Sequence, residues 1–211
     1  MLVYAFSLGA CCTAVAYLYV LKRPYSWRHL VLKPSAMFFI ILIAATKLPA
    51  AGVYGWLVLI ALLFSVVGDV FLVLPSNHFL QGLVAFFIAH VFYVIAFPAP
   101  WRLDALDPPA LLSTIVLVAL AASYYALLAP GANKEGGRGL QFAVILYIAV
   151  ISLMVWRAVL SGNPLIIVGS LLFYVSDALL AWNRFVKSVS WGDYGVMVTY
   201  YSAQYLFTLS L

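Results

Sequence analysis

Two aspartates inside long apolar stretches are the residues best suited to do chemistry. Asp69 lies in the run VVGDVFLV, and Asp177 lies in the run LLFYVSDALL. A carboxylate in hydrocarbon is costly, so such residues usually face the interior of a helix bundle and serve a function. An apolar environment also favours the protonated carboxyl group, which is the form that a proton donor needs. The pair could divide into a general acid and a general base, or it could only hydrogen-bond neighbouring helices.

His90 is the third candidate for catalysis. It lies on a predicted helix with Gly82 and Phe86 on the same face and Tyr93 beside it. The histidine could orient a carboxylate or a water molecule. The alternative is a core histidine whose hydrogen bonds are satisfied within the bundle.

Two basic residues could bind a phosphate group. Lys33 precedes Pro34 at the expected start of a helix, and Arg184 follows Asp177 by about two helical turns. Arginine suits bidentate contacts with a phosphodiester. Each residue could instead anchor its helix at the membrane surface or determine the topology.

Tyr200 and Gln204 form a further candidate pair. They are four residues apart on the last predicted helix, so they share one face. Their side chains could bind a water molecule or a substrate oxygen, or they could hydrogen-bond another helix.

The residue pattern argues against metal and cofactor chemistry. The three histidines lack metal-ligand spacing, and Cys11 and Cys12 are adjacent within the first apolar stretch. The sequence has no Gly-x-Ser-x-Gly motif, no phosphate-binding glycine loop and no paired CxxC motif. We therefore predict neither a metal nor a cofactor. The net charge of +5 comes from scattered basic residues, which indicates membrane topology and no nucleic-acid binding.

The elements that must position these residues are membrane-spanning helices. Of the 211 residues, 67% are hydrophobic and 8% are charged, which predicts an integral membrane protein. Proline and glycine residues mark the ends of most apolar stretches. We predict an all-α protein in which residues 1–211 form one domain, a single bundle of eight transmembrane helices. The helices are expected at residues 2–21, 34–48, 53–74, 78–97, 109–129, 139–160, 164–182 and 192–211.

The distribution of basic residues predicts the orientation. Alternate loops on one side carry eight of them, namely Lys22, Arg23, Arg28, Lys33, Lys134, Arg138, Arg184 and Lys187. The other side carries three, namely Lys47, Arg102 and Arg157. Because basic residues favour cytoplasmic loops, we expect a multi-pass protein with both termini on the non-cytoplasmic side. The active site should then lie toward the cytoplasmic side.

The two aspartates occupy equivalent positions in the predicted helices. Each lies five residues before the expected helix end, roughly 8 Å below the same membrane surface at 1.5 Å per residue. The sequences align as Val-Gly-Asp and Val-Ser-Asp, each followed by two apolar residues and a leucine. This correspondence suggests a four-plus-four parallel repeat of the predicted helices.

The same residues occur in an order that resembles the lysoplasmalogenase family, the YhhN-like membrane proteins. The matching residues are Lys33-Pro34, Gly68-Asp69, Leu72, Phe79, Gly82, Phe86, His90, Tyr93, Gly169, Phe173, Ser176-Asp177, Leu180-Ala181, Asn183-Arg184-Phe185, Tyr200 and Ala203-Gln204. The resemblance extends over most of the chain, with little of it in the fifth and sixth predicted helices. We take Asp69, Asp177 and His90 as the catalytic candidates. The candidates for substrate binding are Lys33, Tyr93, Ser176, Asn183, Arg184, Tyr200 and Gln204.

The resemblance implies an intramembrane hydrolase that cleaves the vinyl ether bond of lysoplasmalogens, which are 1-alkenyl glycerophosphocholines or glycerophosphoethanolamines. The products are a fatty aldehyde and the glycerophospho head group. The reaction begins with protonation of the alkenyl carbon and passes through an oxocarbenium ion, so it needs a protonated acid and a second carboxylate but no metal. The expected partners are a lysophospholipid substrate and the lipid bilayer, while the oligomeric state is not predicted.

A small proton-coupled transporter is the alternative, with the two aspartates as a proton relay. A transporter needs a polar path through both leaflets. The outer halves of the helices that carry Asp69 and Asp177 are almost wholly apolar, which favours the hydrolase.

Overall fold

The computed structural model describes residues 1–99 and 108–211, which form six α-helices. They are α1 (Leu2–Val20), α2 (Trp27–Val73), α3 (Phe79–Ala96), α4 (Pro108–Ser161), α5 (Pro164–Phe185) and α6 (Gly192–Leu209). The described residues contain no β-strand, so the all-α prediction is confirmed. The predicted eight separate helices are not found, because two predicted pairs each form one element. Arg102, which entered the charge count, lies outside the described residues.

α2 combines two predicted helices in a hairpin. A straight helix of 47 residues would be about 70 Å long, far more than the roughly 30 Å of a bilayer core. Lys33 Nζ nevertheless lies 3.3 Å from Asp69 Oδ1, so the chain reverses between them. It reverses at Gly52, where φ is 56° and ψ is −142°, a conformation that favours glycine. Residues 27–51 are the first arm of α2, and residues 53–73 are its second arm.

α4 is also a hairpin of two helical arms. Its 54 residues include Gly136 and Gly137, which both have non-helical backbone angles. Gln141 Nε2 donates a 3.1 Å hydrogen bond to the Ala129 carbonyl oxygen, a contact that a straight helix would not allow. The two arms of α4 are residues 108–135 and 138–161.

Internal prolines explain why several predicted helix ends are wrong. Pro34, Pro49 and Pro130 lie inside helices and do not end them. Each of these prolines removes one backbone hydrogen-bond donor, and the helix continues past it. α2 begins at Trp27, seven residues before the expected start. Ser26 forms a capping box there with His29, which supplies hydrogen bonds to the first turn.

α5 continues beyond its expected end to Phe185, so Asn183 and Arg184 lie in its last turn. At 1.5 Å per residue, Asp177 is about 12 Å from the end of α5, while Asp69 is about 6 Å from the end of α2. The two aspartates therefore do not lie at equal distances from their helix ends, contrary to the prediction.

Contacts between distant residues define two ends of the bundle. At one end Lys22 Nζ lies 2.5 Å from Asp193 Oδ2, which joins the loop before α2 to the start of α6. At the other end Ser7 Oγ lies 2.9 Å from Tyr205 OH. Both termini are thus at the end opposite the basic loops.

The apolar surface agrees with a membrane location. Among the described residues, five helical segments, one in each of α1 to α5, are long and apolar enough to cross a membrane. Large apolar side chains such as Trp56, Leu112 and Val198 are exposed on the outside of the bundle, while Phe173 and Phe207 are buried in its core. The chain is therefore an integral membrane protein with several crossings.

Gly131 allows α4 to approach the end of α5 closely. A Cβ added at Gly131 would clash with the Phe185 carbonyl oxygen, whereas one added at Gly139 would have no heavy atom within 4 Å. We expect Gly131→Ala to lower the free energy of unfolding by about 1–3 kcal/mol or more, because a backbone atom cannot rotate away. Gly139→Ala should preserve or raise stability, since alanine favours helix. Thermal unfolding in detergent checks both variants, and equal midpoints would contradict the close approach.

Candidate active site

Asp69 forms a buried ion pair. It lies on the second arm of α2, and its Oδ1 is 3.3 Å from Nζ of Lys33 on the first arm. Tyr200 of α6 donates a 2.8 Å hydrogen bond to the other carboxylate oxygen. The side chains of Lys33 and Asp69 are only 7% and 2% exposed. Charges buried to this degree persist when they are paired, so the arrangement is that of an ionised pair.

Asp177 has different partners. Tyr147, on the second arm of α4, donates a 2.5 Å hydrogen bond to Asp177 Oδ2. Nε2 of His90, on α3, lies 3.5 Å from the same oxygen and makes no hydrogen bond to any described residue. The His90 side chain is fully buried, and the Asp177 side chain is 10% exposed.

The hydrogen bonds of His90 assign its tautomer. Nδ1 lies 2.6 Å from the Phe86 carbonyl oxygen, which can only accept, so Nδ1 carries a proton. In a neutral ring Nε2 then has only a lone pair to direct toward Asp177. Two facing acceptors repel each other unless a proton lies between them. The His90–Asp177 pair is therefore suited to hold one exchangeable proton.

Aromatic rings separate the two clusters. The Phe173 ring centroid lies 4.6 Å from that of His90 and 5.5 Å from that of Tyr200. The two carboxyl groups thus have neighbouring but different surroundings. Asp69 has a fixed cation, whereas the basic group beside Asp177 among the described residues is a histidine that need not be charged.

Each of the two aspartates has one partner from its own half of the chain and one from the other half. Asp69 is contacted by Lys33 from the preceding arm and by α6, which follows the helix of Asp177. Asp177 is contacted by Tyr147 from the preceding arm and by His90 of α3, which follows the arm of Asp69. Each half of the chain therefore supplies one residue to the carboxyl group of the other half.

Three predicted substrate-binding residues make hydrogen bonds within the protein. Tyr93 donates a 2.5 Å bond to Gln204 Oε1, and Gln204 Nε2 donates a 2.9 Å bond to Ser65 Oγ. This buried network joins α3, α6 and the second arm of α2. Ser176 donates a 3.0 Å bond to the Val196 carbonyl oxygen and so connects α5 to α6.

A polar cavity lies at the basic end of the bundle. Its wall includes Lys33, Asn183, Arg184 and Asp193, so it carries charges of both signs. Arg184 is also paired with Glu135, the last residue of the first arm of α4. This cavity brings together the two cations that the sequence suggested for phosphate binding.

A narrow apolar cavity adjoins the polar one. Asp177 and Tyr147 lie in its wall, which otherwise consists mainly of aliphatic and aromatic side chains. Leu72, Phe79 and Leu180 belong to the walls of both cavities. The site therefore has one polar and one apolar compartment, with a carboxyl group in the apolar wall.

The two carboxyl groups differ in their position relative to these two cavities. Asp69 lines neither of the two cavities and reaches the polar one through Lys33. Tyr147 was missed, because no spacing or motif links it to Asp177. Its one signal was a phenolic hydroxyl group in the otherwise apolar run FAVILYIAV.

A multi-pass membrane protein with these two compartments is suited to act on a single-chain amphiphile. The model of the YhhN family matches residues 28–211. Lysoplasmalogenase TMEM86B of Sus scrofa is 39% identical over 77% of this chain and 66% of its own length. Lysoplasmalogenase TMEM86B of Rattus norvegicus is 31% identical over 94% of this chain and 79% of its own length. Lysoplasmalogenase TMEM86A of Homo sapiens is 34% identical over 72% of this chain and 64% of its own length. No solved structure matches the chain significantly.

The chain belongs to the YhhN family. The predicted membership of the lysoplasmalogenase family, and with it the prediction of an enzyme, are confirmed by these matches. The chain spans between 64% and 79% of the length of the three relatives described.

Lys33→Met removes the cation beside Asp69 and keeps an apolar side chain of similar length. Losing one partner of a buried pair costs about 3–5 kcal/mol, because the other charge is left unpaired. We expect this loss in the free energy of unfolding, and the double variant Lys33→Met/Asp69→Asn should recover most of it. Chemical unfolding in detergent of the wild type, both single variants and the double variant measures the coupling. Additive losses would contradict the ion pair.

Proposed function

We propose that this protein hydrolyses the vinyl ether bond of lysoplasmalogens to a fatty aldehyde and the glycerophospho head group. The proposal is carried by Asp177, a carboxyl group in the wall of an apolar cavity that adjoins a charged one. A lysoplasmalogen has the same division into a charged head and one alkenyl chain. The names of the lysoplasmalogenase relatives support this activity and do not favour the transporter.

The substrate would lie across both cavities. Its phosphate would bind Lys33 and Arg184, with Arg184 exchanging Glu135 for the phosphate oxygens, and its alkenyl chain would fill the apolar cavity. Arg184 and Asp177 share a face of α5 and are about 10 Å apart along its axis. About six bonds, or roughly 8 Å, separate the phosphorus from the vinyl ether carbon. A phosphate at Arg184 therefore brings the vinyl ether bond within reach of Asp177.

The first chemical step would be proton transfer from Asp177. The proton moves to the alkenyl carbon farther from the ether oxygen, where the double-bond electrons form the new C–H bond. The carbon next to the oxygen becomes an oxocarbenium ion. Asp177 becomes a carboxylate that the hydroxyl group of Tyr147 stabilises by its 2.5 Å hydrogen bond.

Water would then add to the oxocarbenium ion. Asp177, now a base, takes one proton from that water as the C–O bond forms, which restores the acid and gives a hemiacetal. The hemiacetal loses its hydroxyl proton, the bond to the glycerol oxygen breaks, and that oxygen takes up a proton. One water molecule is consumed, and the products are the aldehyde and the glycerophospho compound. His90 would hold or return the exchangeable proton through Nε2.

Asp69 would act through Lys33. Its carboxylate is already neutralised by the lysine, so it is a poor proton donor. Its role in this mechanism is to position the Lys33 ammonium group in the wall of the polar cavity, with Tyr200 fixing the carboxylate from α6.

The same proposal includes a membrane arrangement. Both arms of α2 and of α4 would cross the bilayer, which gives eight crossings in one domain of residues 1–211 with both termini non-cytoplasmic. The concentration of basic residues at the end that holds the polar cavity supports a cytoplasmic position for that end. The contacts around Asp69 and Asp177 support the four-plus-four repeat, because each carboxyl group has one partner from the preceding arm and one from the other half of the chain.

Asp177→Asn keeps the shape of the side chain and removes the proton donor, so kcat should fall by about 10²–10⁴-fold. Asp69→Asn should chiefly raise KM, because it releases Lys33 from its position. Aldehyde release from lysoplasmalogen by folded, detergent-purified variants measures both effects. The saturated alkyl ether analogue is the negative control, since it has no alkenyl carbon to protonate. Wild-type turnover by Asp177→Asn would remove this residue from the chemistry.

The orientation is tested by cysteine labelling in a background that lacks Cys11 and Cys12. Lys134→Cys and Lys187→Cys should react with a membrane-impermeant maleimide only after the cells are opened. Ser210→Cys should react in intact cells. The reverse pattern would overturn the orientation and leave the site intact.

A further inference from the structure

Three tyrosines of the described residues lie in the wall of the apolar cavity, namely Tyr124, Tyr147 and Tyr174. Tyr147 donates its hydroxyl hydrogen to Asp177, and Tyr124 donates its own to the Ala178 carbonyl oxygen. A phenol has one hydrogen to donate, so both of these groups are occupied. The Tyr174 hydroxyl group is buried and makes no hydrogen bond to any described residue, so its hydrogen is still available.

A buried hydroxyl group without a partner costs free energy. Native proteins therefore usually supply a partner from the protein itself, from a water molecule or from a ligand. The wall around Tyr174 consists mainly of aliphatic and aromatic side chains, which cannot accept its hydrogen. We therefore expect the partner of this hydroxyl group to be a molecule that enters the cavity.

Tyr174 lies close to the proposed proton donor. It precedes Asp177 by three residues on α5, so the two residues share a face and are about 4.5 Å apart along the helix axis. Arg184 lies on the other side of Asp177, so Tyr174 is on the side of the alkenyl chain. Tyr147 and His90 both contact Oδ2 of Asp177, and no described residue hydrogen-bonds Oδ1. Oδ1 is thus available for the reaction.

Among the oxygens that take part in the proposed reaction, the attacking water suits Tyr174 best. A hydrogen bond donated to the ether oxygen would oppose the positive charge that forms there in the oxocarbenium ion. A water molecule, in contrast, needs polar partners to remain among apolar side chains. It can accept the hydrogen of Tyr174, donate to Asp177 and keep its second lone pair for the carbon.

We propose that the Tyr174 hydroxyl group binds the water molecule that attacks the oxocarbenium ion, and then the aldehyde oxygen that this water becomes. This inference rests on the proposed function. As the C–O bond forms, one water proton passes to Asp177, and the oxygen keeps its other proton. When the hemiacetal breaks down, that second proton leaves, the bond to the glycerol oxygen breaks, and the glycerol oxygen takes up a proton. Tyr174 transfers no proton and donates to the same oxygen throughout.

Tyr174→Phe removes only the hydroxyl group. Its kcat for aldehyde release from lysoplasmalogen should fall by about tenfold or more, because the attacking water loses a partner that orients it. The thermal midpoint in detergent should stay the same or rise, since the lost hydroxyl group has no partner among the described residues.

Tyr54→Phe is the matched control. The Tyr54 hydroxyl group lies 2.6 Å from Ser210 Oγ, at the opposite end of the bundle. Its loss should lower the thermal midpoint and leave kcat unchanged, which is the reverse of the result expected for Tyr174→Phe. A wild-type kcat in Tyr174→Phe, or a lowered midpoint in that variant, would overturn the role of Tyr174.

A carbonyl probe detects the hydrogen bond without turnover. An isotope-labelled long-chain methyl ketone carries an oxygen like that of the aldehyde product and is not cleaved. Its infrared carbonyl band should lie at lower frequency on the wild type than on Tyr174→Phe, and the variant should bind it about 2–10-fold more weakly. Equal bands, or no binding to the wild type, would also overturn the assignment. If the wild type cleaves no lysoplasmalogen, the proposed function fails, while the band still shows whether Tyr174 binds a carbonyl oxygen.

Discussion

The Lys33–Asp69 ion pair is the interaction on which the rest of the structure depends. It joins the two arms of α2 across their reversal at Gly52, and Tyr200 extends it to α6. An unpaired charge in an apolar bundle is costly, so the pair restricts these three segments to one arrangement. That arrangement puts the lysine in the wall of the polar cavity and leaves the adjoining apolar cavity without a fixed cation.

Two identical side chains consequently have different chemistry. Asp69 faces a permanent cation and is suited to organise charge, whereas Asp177 faces a hydroxyl donor and the Nε2 atom of a histidine that need not be charged. The difference comes from neighbours on other helices and not from local sequence, which is nearly the same around both residues. The surroundings of a carboxyl group thus determine whether it holds a partner in position or transfers a proton.

The sequence predicted the parts of the fold and site that depend on local composition. Long apolar runs indicated membrane helices, and an acidic residue within such a run drew attention to Asp69 and Asp177. Loops were predicted at the positions of Gly52 and Gly137, because proline and glycine usually end helices. In the structure the helix instead continues up to each glycine, where the chain reverses. The pairing of Asp177 with Tyr147 was not predictable, since it depends on how α4 packs against α5.

The alternation of contacts around the two aspartates means that neither half of the chain contains a finished site. Asp69 is contacted by Lys33 from its own half of the chain and by Tyr200 from the C-terminal half. Asp177 is contacted by Tyr147 from its own half and by His90 from the N-terminal half. The two halves of this single chain therefore depend on each other, because each half completes the surroundings of the other half's aspartate. Synthesis of the last helix therefore completes the surroundings of Asp69, whereas Tyr147 and His90, which contact Asp177, both precede α6 in the chain.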